Sequence, residues 1–153
     1  MMSIFRLDPV IENLPTDFDA LRAEAHAEGY RFVERLAKDW EAGATRFDHD
    51  GEALLGAHVD GVLAGIGGLT LDPVVLGALR MRRFYVRPSF RKHGIGRKLV
   101  EALLKYPRRV GQVVVVNAAR GSSAFWEALG FVPDPREGHT HILHLPSVAA
   151  HPD

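Results

Sequence analysis

The sequence predicts an α/β (α+β) domain in which helices flank a mixed, mostly antiparallel central sheet. Three observations carry that prediction. Two apolar runs, EALLGAHV and VLAGIGGLT, flank Asp60-Gly61, a dipeptide suited to the positive φ angles of a tight hairpin turn. At Ile95 the apolar spacing becomes helical, with Ile95, Leu99 and Leu103 stacked beside Val100 and Leu104. QVVVVN follows, a β-branched run with little alternation, as in a strand buried on both faces. Helices inserted among hairpins and strands fit one mixed sheet, either half covered or in three layers.

Taken in order, SIFRL is a short strand, and after Pro15 and Thr16 two stretches follow at helical spacing. Phe18, Leu21 and Ala25 mark the first; Phe32, Val33, Leu36, Ala37 and Trp40 mark the second, with Gly29 and Gly43 as punctuation. The hairpin comes next, and Gly65 to Gly68 inside its second strand read as packing or a bulge. Past Asp72-Pro73, ALRMRRFYV is a strand that stops by Pro88, since proline has no N–H for the ladder. The helix from Ile95 ends at Pro107, SSAFWEAL forms a short helix closed by Gly130, and a last strand runs from His139 to Leu145. One domain over residues 1–146 accounts for all of this, with residues 147–153 as a flexible tail.

Composition limits the function. The chain has no cysteine, which excludes a disulfide framework, a thiolate nucleophile and a Cys-ligated zinc site. The start lacks the order of a signal peptide and no apolar run approaches the roughly 20 residues of a membrane span, so a cytoplasmic protein without membrane contact is expected. The formal net charge of zero conceals a division: residues 1–72 hold six Lys/Arg against 14 Asp/Glu, and the remainder has the opposite imbalance, +8. The two halves either neutralise each other across the fold or serve a ligand.

Between Leu79 and Lys98 there are eight Lys or Arg and no acid. A helix starting near Gly94 points unpaired N–H groups outward and carries about half a positive charge there. Arg91, Lys92, Arg97 and Lys98 crowd the same end, where each cation costs about 0.3–1 kcal/mol at exposed sites. A multivalent anion resolves that conflict, and Gly94 and Gly96 permit close approach to the backbone. The combination describes a diphosphate cradle, although solvated loop charges produce the same residues. Neither the GK[ST] of a nucleoside-triphosphate loop nor the three-glycine dinucleotide fingerprint is present.

VRPSFRKHGIGRKLVEALL resembles the acetyl-CoA motif of the GNAT superfamily of acyl-CoA-dependent N-acetyltransferases, with Arg91, Gly94 and Gly96 in the motif positions. VNAARGSSAFWEALGF resembles that family's second motif, and GEALLGAHVDGVLAGIGGLTLDP its hairpin. The resemblance spans Gly51 to Phe131 and implies a GNAT-like fold and transfer of an acetyl group from acetyl-CoA to an amine by direct attack. It implies that Phe84, Tyr85 and Val86 face the pantetheine arm. Lys92 to Lys98, which includes His93 and Ile95, would hold the pyrophosphate together with Arg91, and Asn117, Ser122 and Phe125 complete the coenzyme A set. A backbone N–H of Tyr85 or Val86 is the implied oxyanion donor.

One departure stands out. Many members carry Tyr in the aromatic pair before LGF as the proton source for the thiolate; Trp126 is here, and an indole only donates a hydrogen bond. His139 and His141, on one face of the last strand, are reserve general acids or else polar residues of an edge strand. His144 falls on the opposite face at period two, so no metal site is expected. Glu28, Glu34 and Glu52 are candidate bases, none of them assigned. The rival readings are a catalytically idle acyl-CoA-binding module and a nucleic-acid binder; the zero net charge speaks against the second. The acceptor, a small-molecule or peptide amine, is open, a cationic one fitting the acidic half; a homodimer is equally open.

Overall fold

A computed structural model describes residues 3–106 and 113–145. Seven strands form one sheet in the order β1-β2-β3-β4-β5-β7-β6, and only the β4–β5 pair is parallel. The strands are β1 (Phe5–Pro9), β2 (Ala53–Val59), β3 (Val62–Leu71), β4 (Ala78–Val86), β5 (Val113–Val116), β6 (Val132–Arg136) and β7 (His139–His144). The helices are α1 (Phe18–Ala27), α2 (Phe32–Ala42), α3 (Ile95–Leu103) and α4 (Ser123–Ala128).

Of the two sheet arrangements expected, three layers is the one found. Apolar faces of α1 and α2 pack with Leu54, Leu63 and Ile66 on one side of the sheet. On the other, Leu99, Val100 and Leu103 of α3 and Trp126 of α4 pack with Leu55, Leu69, Leu79 and Met81. Among the described residues no helix is long and apolar enough to cross a membrane.

Strand β6 is the element the sequence did not reveal. It carries Pro133 and Pro135, which argue against a strand, but it forms the outer edge of the sheet, where missing ladder donors are tolerated. Its presence makes β7 an interior strand, so the expectation of an edge position for His139 and His141 is corrected. Pro107 and the tail 147–153 lie outside the described residues.

A bulge in β4 decides what faces the site. Leu79 and Met81 point to the α3/α4 core, and strict alternation would send Tyr85 there too. The β3–β4 register shifts between Ile66 and Gly68, and Arg83, at φ 63°, takes up the extra residue. Tyr85 therefore faces α1/α2, and Phe84 turns to the other core, where its ring meets Trp126 at 5.2 Å. Gly67 and Gly68 accommodate this: a Cβ on Gly67 would lie 2.6 Å from the Phe84 ring, and one on Gly68 2.5 Å from Phe47. Packing and bulge, weighed as alternatives for these glycines, both apply.

Candidate active site

Strands β4 and β5 pair only from Ala78–Val113 to Met81–Val116, yet β4 continues to Val86. Beyond that register the two strands are no longer joined, and a cleft of about 800 Å³ opens between them. Its floor is aromatic, with Phe84, Phe125 and Trp126 on the α3/α4 side and Tyr30, Phe32 and Tyr85 on the α1/α2 side. On the β4 wall, the Arg87 N–H donates to the Ala64 carbonyl at 2.8 Å. By ladder alternation the Tyr85 N–H also turns toward β3, whereas that of Val86 is directed to the cleft. Of the two candidate donors, only the Val86 N–H is thus on the cleft side of β4.

The N-terminus of α3 closes one end. Gly94 caps it at φ 78°, a left-handed conformation costly for other residues, and no side chain caps the helix. The first helical bond of this turn runs from the Lys98 N–H to the Gly94 carbonyl at 3.0 Å. The N–H groups of Ile95, Gly96 and Arg97 therefore have no acceptor within the helix. All three residues line the cleft. Gly96 has a reason beyond ligand approach, because a Cβ there would stand 3.1 Å from the Phe125 ring.

Arg91 does not extend its charge into open cleft. Its Nε donates to the Val86 carbonyl at 2.9 Å and its two Nη groups to Glu28 at 3.0 and 2.6 Å, while the guanidinium lies 5.4 Å from the Tyr85 ring centre. The Tyr85 hydroxyl donates to the same carboxylate. Burial first, then the bond to Glu28, pushes the Tyr85 phenol well above its ordinary pKa. Bonds from Arg91 and Tyr85 hold Glu28 below the usual carboxylate range. Glu34 accepts from Arg22 at 2.7 and 2.5 Å, and Glu52 from the Leu71 N–H at 2.9 Å. None of these three candidate bases lines the cleft.

Most sequence-predicted binding residues converge here: those of β4, Arg91, Lys92, Gly94 to Arg97, and Asn117, Ser122 and Phe125. Two do not. His93 is exposed outside the lining, and Lys98 sits on another face of α3 with its Nζ 4.5 Å from the Phe5 ring centre. The reserve acids lie apart from the cleft. His139 and His141 are 3% and 4% exposed, are held by Asp134 and Glu127 at 2.9 Å each, and do not line the cleft. Sequence reasoning missed Arg35, Arg80, Arg82 and Arg83, which do line it. The acid-free stretch from Leu79 was a signal for the last three, but only their register and the bulge bring them to this wall. In all, eight of the lining residues are Arg or Lys and none is Asp or Glu.

Residues 15–131 match the acetyltransferase (GNAT) family profile. No curated protein sequence matches the chain. Among solved structures, a protein from Exiguobacterium sp. 255-15 classed as an acetyltransferase is 26% identical, with a TM-score of 0.83 over 92% of this chain and 93% of its own. A GNAT-family acetyltransferase of Staphylococcus aureus Mu50 is 13% identical, with a TM-score of 0.69 over 92% of this chain and 100% of its own. The PaiA N-acetyltransferase of Thermoplasma acidophilum, solved in complex with coenzyme A, is 17% identical, with a TM-score of 0.62 over 94% and 99%.

Proposed function

The chain belongs to the GNAT acetyltransferase family, and on that premise we propose that it transfers an acetyl group from acetyl-CoA to a primary amine by direct attack in the β4–β5 cleft. The observation that carries this reading is the uncapped start of α3, with three unpaired N–H groups at the end of a cleft lined by bases and no acid. A diphosphate fits that end, as the dipole and the N–H groups both favour an anion. An acyl-pantetheine arm fits the aromatic floor. The bound thioester supplies the electrophilic carbonyl.

In this scheme the amine nitrogen bonds to the carbonyl carbon, the C–S bond breaks, and the sulfur leaves as thiolate. The Val86 N–H stabilises the oxyanion, a kind of donor worth roughly 2.7–4 kcal/mol in other enzymes. With Tyr85 protonated and no carboxylate on the lining, the proton of the amine is lost to water. Trp126 supports a second reading, an acyl-CoA-binding module without turnover, because it replaces the family's usual phenol.

Release of coenzyme A from acetyl-CoA with a panel of amines, run beside equilibrium binding of acetyl-CoA, tests both. Turnover is expected. Gly96→Asp should abolish acetyl-CoA binding in a folded protein, since it adds bulk against Phe125 and a negative charge at the helix start. Binding without turnover by the wild-type protein favours the idle module; unchanged affinity in the variant removes the site assignment.

A further inference from the structure

Besides the α3 N-terminus, the same cleft is lined by a second set of bases, Arg35, Arg80, Arg82 and Arg83. Arg80 and Arg82 alternate with the core residues Leu79 and Met81 and so stand on the α1/α2 face of β4. The bulge adds Arg83 to that face, where it meets Asp39 of α2 at 3.3 Å. Asp72 pairs with Arg80, also at 3.3 Å. Each acid is thereby matched to one arginine. Arg82 and Arg35 have no carboxylate at ion-pair distance among the described residues. Arg82 is partly buried and lines the cleft; burial and the Arg80 charge work against its guanidinium, while Asp39, Asp72 and Glu52 favour it without reaching ion-pair distance. A desolvated guanidinium beside a like charge costs free energy until an anion reaches it.

We propose that Arg82, assisted by Arg35, binds an anionic group, a carboxylate or a phosphate, on the acceptor amine. This deepens the transferase reading and rests on it. Val86 and Arg82 belong to β4 and Arg35 to α2, and all three line the cleft, so one ligand can present its amine near the Val86 N–H and its anion to the arginines. A guanidinium suits either anion, because its planar donors match two oxygens at once. A lining with eight Arg or Lys and no Asp or Glu favours an acceptor that carries an anionic group over a purely cationic one.

Initial rates are measured with amino acids, with amino-sugar phosphates, and with the amide or dephosphorylated counterpart of each; acetyl-CoA affinity is measured separately by calorimetry. The acidic member of at least one pair should show a kcat/KM at least tenfold above its neutral counterpart. The carboxylate and phosphate arms distinguish the two sources. Arg82→Gln should raise KM for the acidic amine about tenfold or more, leave the neutral one within twofold, and leave acetyl-CoA affinity unchanged. Arg82→Lys should recover part of the discrimination, which a purely structural role would not produce.

Equal rates for acidic and neutral amines overturn the proposal. So does a loss of acetyl-CoA affinity in Arg82→Gln, which would give the arginine to the coenzyme, or an Arg82-dependent preference for succinyl-CoA over acetyl-CoA, which would give it to the acyl group. Failure of the wild-type protein to bind acetyl-CoA sinks the transferase reading instead, and is seen in the calorimetry alone.

Discussion

Trp126 concentrates the residue-scale question of how the thiolate is released. The indole is 4% exposed and wedged edge-on among Phe84, Phe125 and Phe131, at ring-centre distances of 5.2, 5.0 and 5.3 Å. Three aromatic contacts of that kind explain its size by packing. A thiol of intrinsic pKa about 8.5 can leave as thiolate toward water without a protein acid. Trp126→Phe should therefore lower thermal stability through lost packing and keep kcat within a few-fold of the parent. His139→Ala and His141→Ala should stay well inside the roughly 10²–10⁴-fold loss that removal of a general acid produces. A folded Trp126→Phe protein with normal acetyl-CoA affinity and a hundredfold lower kcat would overturn the packing assignment. Tyr85 adds a pH corollary. Its raised pKa keeps the phenol protonated through the neutral and mildly alkaline range, so kcat/KM should rise with pH along the acceptor amine's own titration, with no break near pH 6–7 from an enzyme base. Such a break, seen with two amines of different pKa, would point to a base outside this account.

At the scale of elements, the start of α3 and the bulge of β4 build the site between them. The helix end contributes dipole and free N–H groups, and Lys92 and Arg97 add charge on the lining. Raising ionic strength from about 0.01 to 0.15 M shortens the Debye length from roughly 30 to 8 Å and should weaken acetyl-CoA binding. Dephospho-coenzyme A, with less charge, should respond less in the same titration; salt-independent binding of both would remove the electrostatic part of the argument. The helix end was legible in the sequence, because the change of period at Ile95 and the glycines before it are local signals. Strand β4 was legible too, with both bounds as expected, Ala78 to Val86. The bulge was not, since a two-against-one register is a property of β3 and β4 together, and Arg83 is not a residue that announces a positive φ. For that reason Arg83 went unread as a cleft residue, while Arg91, taken from its motif as a coenzyme A contact, was not foreseen as a clamp on Glu28. His139 and His141 were seen to share a strand face, but their partners Asp134 and Glu127 come from β6 and α4, through contacts no local pattern contains.

For the whole molecule, the division of charge along the chain becomes a set of joints between layers. Glu24 and Glu28, of α1 and its C-terminal cap, meet Arg87 and Arg91 at 2.9 and 2.6 Å, and Asp39 of α2 meets Arg83. Three of the 14 acids of the first 72 residues thus tie the α1/α2 layer to β4 and the segment that follows it. These joints make stability depend on acid in a determined direction. Bonds from Arg87 and Arg91 lower the pKa values of Glu24 and Glu28 in the folded protein, so the unfolded chain binds more protons than the folded one across that window. Their contribution is complete above the unfolded Glu value of about 4.3 and is lost as pH falls through the depressed folded values. Thermal midpoints measured from pH 7 downward should hold until about pH 4–5 and then decline. In Glu24→Gln/Glu28→Gln the midpoint at pH 7 should start lower and the decline should be shallower, because two of the groups that titrate differently on unfolding are gone. Partial exposure of both carboxylates screens the pairs, so the effect should shrink as salt is added. An acid limb of unchanged slope in the double variant would remove the Glu24 and Glu28 pairs from this account of stability.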